Sequence, residues 1–203
     1  GLDRLSGGRL IIGAASGWVE AEFKALGVPF KERGARSDEI LELWNQCWTG
    51  TDPIAFDGKF HPFEGVHFQP RPAQKSPPIW IGGNSNAAIR RAVRFGQGWF
   101  PASTTPEETS ERMSVLREVA EQLETDVSGF AIAVRRTARP QAADLAPADR
   151  VALSGSSEQI IEDCQAYARA GVTHMALEFG FDDADRFLDD LQKVGEEVIP
   201  RVG

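Results

Sequence analysis

Residues 77–91 read PPIWIGGNSNAAIRR. A short apolar run ends in Gly82 and Gly83, passes Asn84 and Ser85, and opens at once into a helical pattern. That order predicts a buried strand, a tight turn and a helix, which together make one βα unit. Glycines on such a turn let backbone approach a ligand closely, and a helix N-terminus favours negative charge. Two readings stay open on this stretch: a phosphate-binding turn, or a capped βα turn that holds nothing. Arg90, Arg91 and Arg94 lie one or more turns inside the helix and read as a solvated face.

The same alternation continues in both directions. RLIIGAAS (9–16) is an apolar run ending in small residues, as a buried parallel strand would. Residues 31–48 place Ile40, Leu41, Trp44, Cys47 and Trp48 at helical spacing. GWFPA (98–102), GFAIAVRRTA (129–138) and THMALEFG (173–180) are the remaining strands. Thr105 to Glu108 has the form of a capping box with Pro106 at the first helical position, and Ser156 to Gln159 repeats the box. Phe187, Leu188, Leu191, Val194 and Val198 mark the closing helix.

Five successive βα units imply an α/β fold with a parallel sheet, either doubly wound or a barrel. A closed barrel needs eight strands and about 250 residues, so five strands make a partial one. The opening GLDRLSGGRL reads as the last turn of a helix, with the chain expected to begin mid-fold and Gly1 a cloning remnant. Residues 1–203 are expected to form a single α/β domain. Within it, 50–76 is an insertion able to act as a lid, with Asp57-Gly58 signalling its hairpin, and 138–150 is a mobile Ala/Pro loop.

Composition bounds the function. The formal charge of −8 over 203 residues lacks the basic footprint of a general nucleic-acid binder. No apolar run is long enough to span a bilayer, so no membrane role is expected. Cys47 and Cys164 read as buried free thiols in a reducing cytoplasm. Three scattered histidines and no cysteine cluster argue against a metal site.

Three blocks resemble the luciferase-like monooxygenase family, and within it the branch that uses the deazaflavin coenzyme F420. They are LDRLSGGRLIIGAASGWVEAEFKALGVPFKERGAR, FDGKFHPFEGVHFQPRPAQKSPPIWIGGNSNAAIRRAVRFGQGWFP and SGSSEQIIEDCQAYARAGVTHMALEF. The resemblance covers nearly all the chain except 125–150. It implies a (β/α)8 TIM-barrel type fold, here from the fourth strand to the eighth, with FMN or F420 bound at the C-terminal mouth. The family often has Gly where this chain has Ala14 and Ala15, and Asp where it has Gln97.

Barrel sites lie at the C-terminal ends of strands, and that rule sorts the candidates. Gly82, Gly83, Asn84 and Ser85 would hold a cofactor phosphate. Gly13, Ser16, Gly17 and Trp18 would admit a planar ring and wall it, or would merely fit close strand–helix packing. Trp99 opens its strand and reads as core. Arg136 and Glu178 end their strands and are expected to pair with each other, with substrate orientation as the lesser role. His61, in the insertion, is a candidate general acid or a solvated loop histidine, and His174 sits at the wrong end of its strand.

The expected function is a flavin- or F420-dependent oxidoreductase moving hydride between cofactor and a small organic substrate. The alternatives are a truncated, non-catalytic remnant that binds flavin or a protein partner, and an enzyme holding a phosphorylated substrate at the same glycines. A chain of this kind is expected to associate with copies of itself through exposed strand edges.

Overall fold

The computed structural model describes residues 1–202. The chain begins with α1 (Leu2–Leu5), β1 (Ile12–Ala14), α2 (Glu20–Ala25) and α3 (Arg33–Thr49). Strands β2 (Ile54–Phe56) and β3 (Phe63–Val66) precede β4 (Ile79–Gly82), α4 (Asn86–Phe95), β5 (Gly98–Phe100) and α5 (Pro106–Gln122). The remainder is β6 (Ala131–Thr137), β7 (Arg139–Pro140), β8 (Ser154–Gly155), α6 (Ser157–Arg169), β9 (His174–Glu178) and α7 (Ala184–Lys193). A π-helical turn, Val194–Val198, then leads into α8 (Ile199–Val202). The five strands expected from the sequence are β1, β4, β5, β6 and β9. The short helix α2 was not foreseen, because EAEFKA carries no capping side chain and buries no residue.

Contacts divide the chain into two compact units, Gly1–Trp99 with Glu118–Phe130 and Phe100–Arg117 with Ala131–Gly203. In the first, β1 and β4 pair in parallel, with Ile12 opposite Ile79, Gly13 opposite Trp80 and Ala14 opposite Ile81. Strand alternation drives Ile79 and Ile81 into the core, where Ala88, Ile89, Ala92 and Val93 of α4 meet them. Burying each large aliphatic side chain contributes about 1.5–3 kcal/mol. At the N-terminal end of β4, the Gln97 side chain accepts from the Ile79 amide at 3.0 Å. Gln97 thus completes backbone bonding there.

Arg91 departs from the solvated face expected of it. It lies three residues after the buried Ala88, on the flank of α4 that packs against α3, and its side chain is only 9% exposed. Its guanidinium donates to the Asp38 carboxylate and the Gly34 carbonyl. Arg90 and Arg94 remain exposed, the first donating to Gln122 and the second lying over the Phe95 ring. Cys47 is only half-buried.

The 50–76 segment is pinned to α3 at several points, among them the Gln46 side chain, which donates to the Ala55 carbonyl. Its hairpin pairs Ile54 with Val66 and Phe56 with Phe63, so the turn that starts at Asp57-Gly58 is a longer loop, 57–62. Glu39 accepts from the amides of Phe60 and His61 and contacts His61 Nδ1 at 3.0 Å. Arg71 donates to the Cys47 and Trp48 carbonyls at the end of α3 and to Asp52.

In the second unit β6 and β9 pair in parallel from Ala133 opposite His174 to Thr137 opposite Glu178. Its core joins Ala138, Leu153, Ile160, Ile161, Cys164, Phe179, Val194 and Val198. The capping box at Thr105–Glu108 forms as the sequence indicates, whereas only half of the one expected at Ser156–Gln159 does. Thr105 and Glu108 bond reciprocally, side chain to amide in each direction. Ser156 accepts from the Gln159 amide, while the Gln159 side chain turns instead to Leu145. That pair of bonds, with the β7–β8 pairing, ties down much of 138–150.

Candidate functional site

The parallel register of β1 and β4 brings two of the predicted groups out at one end of the same strand pair. Residues 15–18 leave the C-terminal end of β1, and 83–85 leave that of β4. Ser85 is the N-cap of α4, its hydroxyl accepting from the Ala88 amide at 3.2 Å. Asn84 and Ser85 are both exposed at that positive helix end. Gly83 holds φ +122°, and a Cβ there would stand 3.0 Å from the Ala88 Cβ, so the turn needs glycine.

What holds this turn was only half-read from sequence. Trp99 is fully buried, as expected of a core residue, yet its indole Nε1–H also donates to the Gly83 carbonyl at 2.8 Å. A residue of the next strand, β5, therefore fixes the backbone of the previous βα turn. No sequence spacing announces such a bond.

At the end of β1 the small residues differ in role. A Cβ on Gly13 would meet nothing within 4 Å, so the face of the strand is open there. Gly17 is another matter: it holds φ +78°, and a Cβ would lie 2.9 Å from the Phe23 ring. Its need for glycine comes from the backbone and from Phe23. The Ser16 hydroxyl is buried and has no hydrogen-bond partner among the described residues, which is costly unless a ligand supplies one. Trp18 is 86% exposed.

Arg136 and Glu178 lie in the second unit, and the expected ion pair between them does not form. Glu178 pairs with Arg135 at 3.4 Å, while Arg136 donates to the Ser103 carbonyl at 2.9 Å. Strand parity gives the reason. Glu178 is opposite Thr137, so the side chain two residues earlier, Arg135, shares its face, and Arg136 points to the other side. Neither partner is buried: Arg135 and Glu178 are 54% and 45% exposed. His174 stands exposed at the start of β9, its Nδ1 2.8 Å from the Thr173 hydroxyl.

His61 is held by Glu39 rather than standing free in its loop. Burial pushes the Glu39 carboxyl up, but the Phe60 amide, the His61 ring and further amides outweigh it, leaving its pKa below the usual value. Asp52 is lowered too, first by the Gln69 side chain. Depressed carboxylates stabilise above their unfolded pKa, and that contribution disappears as pH falls through the folded one. The hairpin is therefore expected to loosen from α3 on acidification. Following the Phe60 and His61 amide signals from about pH 6 to about pH 3 tests this. A midpoint at or above that of an ordinary glutamate would contradict it.

Among the described residues no group of three or more His, Cys, Asp or Glu is placed to hold a metal, and no helix is long and apolar enough to cross a membrane.

Comparison with known proteins identifies this architecture. A profile of the luciferase-like monooxygenase family matches residues 1–144. The FMNH(2)-dependent dimethylsulfone monooxygenase of Pseudomonas putida is 31% identical over 170 residues, covering 78% of this chain and 47% of that protein. Among solved structures, the monooxygenase RslO1 from Streptomyces bottropensis superposes with a TM-score of 0.84 at 20% identity, over all of this chain and 71% of its own. An F420-dependent secondary alcohol dehydrogenase bound to an F420-acetone adduct gives 0.83 at 16%, over all of this chain and 72% of its own. The fold is thus α/β of the TIM-barrel type, represented here by five parallel strands. The chain belongs to the luciferase-like monooxygenase family. It spans about half the length of the curated relatives it matches first, 47% and 41%.

Proposed function

We propose that this chain is the cofactor-binding part of a flavin- or F420-dependent oxidoreductase that acts on a small organic substrate. The observation that carries the reading is the glycine turn after β4: closed to any side chain at Gly83, fixed by Trp99, and leading straight into the capped end of α4. Such a helix end suits a phosphate, and both FMN and F420 carry one. The residues at the end of β1 fit the rest of the group. The open face at Gly13 admits a flat ring, and the unpartnered Ser16 hydroxyl would gain a partner from a polar edge of it.

When bound, the reduced cofactor supplies hydride or activates dioxygen. In this reading the residues bind and orient it: the 83–85 turn anchors the phosphate, and Ser16 and Gly13 set the ring. The relatives divide between FMNH(2) and F420 by name, so both remain candidates. Titration with FMN, F420 and riboflavin, followed by fluorescence quenching, tests the assignment. Binding that depends on the phosphate supports it, whereas equal binding of FMN and riboflavin removes it.

A further inference from the structure

A separate pocket of 280 Å³ lies wholly within the second unit, at the C-terminal ends of β6 and β9. Ser103, Arg135, Arg136, Thr137, Arg139 and Glu178 line it. Three arginines and one carboxylate line it, Arg135 and Glu178 from one face of the strand pair and Arg136 from the other, in a chain whose formal charge is −8. Such a local reversal of sign is a positive feature in an otherwise anionic field. Its size is near the lower end for small-molecule sites.

The arginines are differently held. Arg136 spends one N–H on the Ser103 carbonyl, which orients its fork, and Ser103 adopts φ +53° to present that carbonyl. A non-glycine residue in that region is uncommon and persists where the surroundings impose it. Arg139 is fixed through its backbone, its amide bonded to the Leu153 carbonyl. Arg135 pairs with Glu178 at a loose 3.4 Å, with both side chains half-exposed. An exposed pair of this kind contributes little, so an incoming oxyanion can compete for Arg135.

We propose that this pocket binds the acidic group of a small organic substrate, a carboxylate, sulfonate or phosphate monoester, with Arg136 as its oriented anchor and Glu178 as the competing internal anion. Planar guanidinium forks match such oxyanions in two parallel hydrogen bonds. Calling the occupant a substrate rests on the oxidoreductase reading above. The anion site itself does not.

The test uses acetate, methanesulfonate and methyl phosphate, titrated into the chain without cofactor at constant ionic strength, with the arginine Nε–H NMR signals as readout. Saturable shifts at Arg135, Arg136 and Arg139 are expected. Arg136→Gln should weaken binding about tenfold, and Glu178→Gln should tighten it about threefold by releasing Arg135. These opposite signs separate the site from a folding defect. Shifts spread evenly over all arginines, or unchanged affinity in Glu178→Gln, would overturn the proposal. Adding FMN distinguishes the two sources of a phosphate: undiminished methyl phosphate affinity supports a substrate site, and competitive loss assigns the pocket to the cofactor. Because the probes are read without cofactor, failure here leaves the turn after β4 untouched.

Discussion

Replacing Trp99 by Ala is expected to lower the unfolding free energy by about 3–5 kcal/mol, the range for deleting a fully buried large aromatic. Trp99 has no exposed surface, and its indole holds the Gly83 carbonyl. The informative companion is Trp99→Phe, which keeps most of the ring but removes the Nε1 donor. Its cost should be about 1–2 kcal/mol, from one lost hydrogen bond and a small cavity. In addition, the Phe variant should bind FMN more weakly than its stability loss explains, because the carbonyl that fixes the turn is released. Urea unfolding measured beside flavin titration separates the two effects. A Phe variant that is destabilised but binds normally would make Trp99 a core residue and nothing more.

The second large effect concerns Asn84. An aspartate here places negative charge just before the N-cap of α4, where it interacts well with the helix dipole, so the folded state should be unharmed or slightly stabilised. The same charge would repel a bound phosphate. Asn84→Asp is therefore expected to weaken FMN binding about tenfold or more while leaving riboflavin affinity unchanged. Gly83 would be a poorer place for this experiment. Its φ of +122° and the 3.0 Å approach to Ala88 mean that any side chain there strains the backbone, which would mix folding with binding. Equal loss for FMN and riboflavin in Asn84→Asp would mean that the substitution distorts the turn rather than repelling phosphate.

Much of the fold was legible because each element carried its own local signal. Ile79 and Ile81 alternate into a core, Ala88, Ile89, Ala92 and Val93 make a helical stripe, and Thr105 with Glu108 forms a capping box whose bonds appear as written. What escaped was the long-range pairing of polar groups. The ion pair of Glu178 depends on a register across 41 residues, Thr137 to Glu178 and hence Arg135, which no local pattern encodes. Arg91 looked like its neighbours Arg90 and Arg94 because helical position alone does not say that α3 lies against that flank. Gly17 shows the converse. It belongs to the stretch that suggested ligand approach, yet its own requirement is a left-handed backbone beside Phe23.

The candidate cofactor site was readable only in part for the same reason. The sequence of the turn marks Gly83, Asn84 and Ser85, but the Trp99 bond to Gly83 and the unpartnered Ser16 hydroxyl emerge only once β1, β4 and β5 are in place. The arginine pocket lay further out of reach. Arg135 and Arg139 flank Arg136 in sequence, but their convergence on one cavity depends on where β6 and β7 end.

If the turn after β4 holds the phosphate of a flavin-type cofactor, FMN must bind this chain more tightly than riboflavin does. The most direct measurement is the dissociation constant of FMN set against that of riboflavin for this chain, at one ionic strength, by fluorescence quenching. FMN is expected to bind tighter by about tenfold or more, the scale of one well-formed charge-assisted contact. Equal constants for the two would contradict it and leave Gly82 to Ser85 as a capped turn between strand and helix.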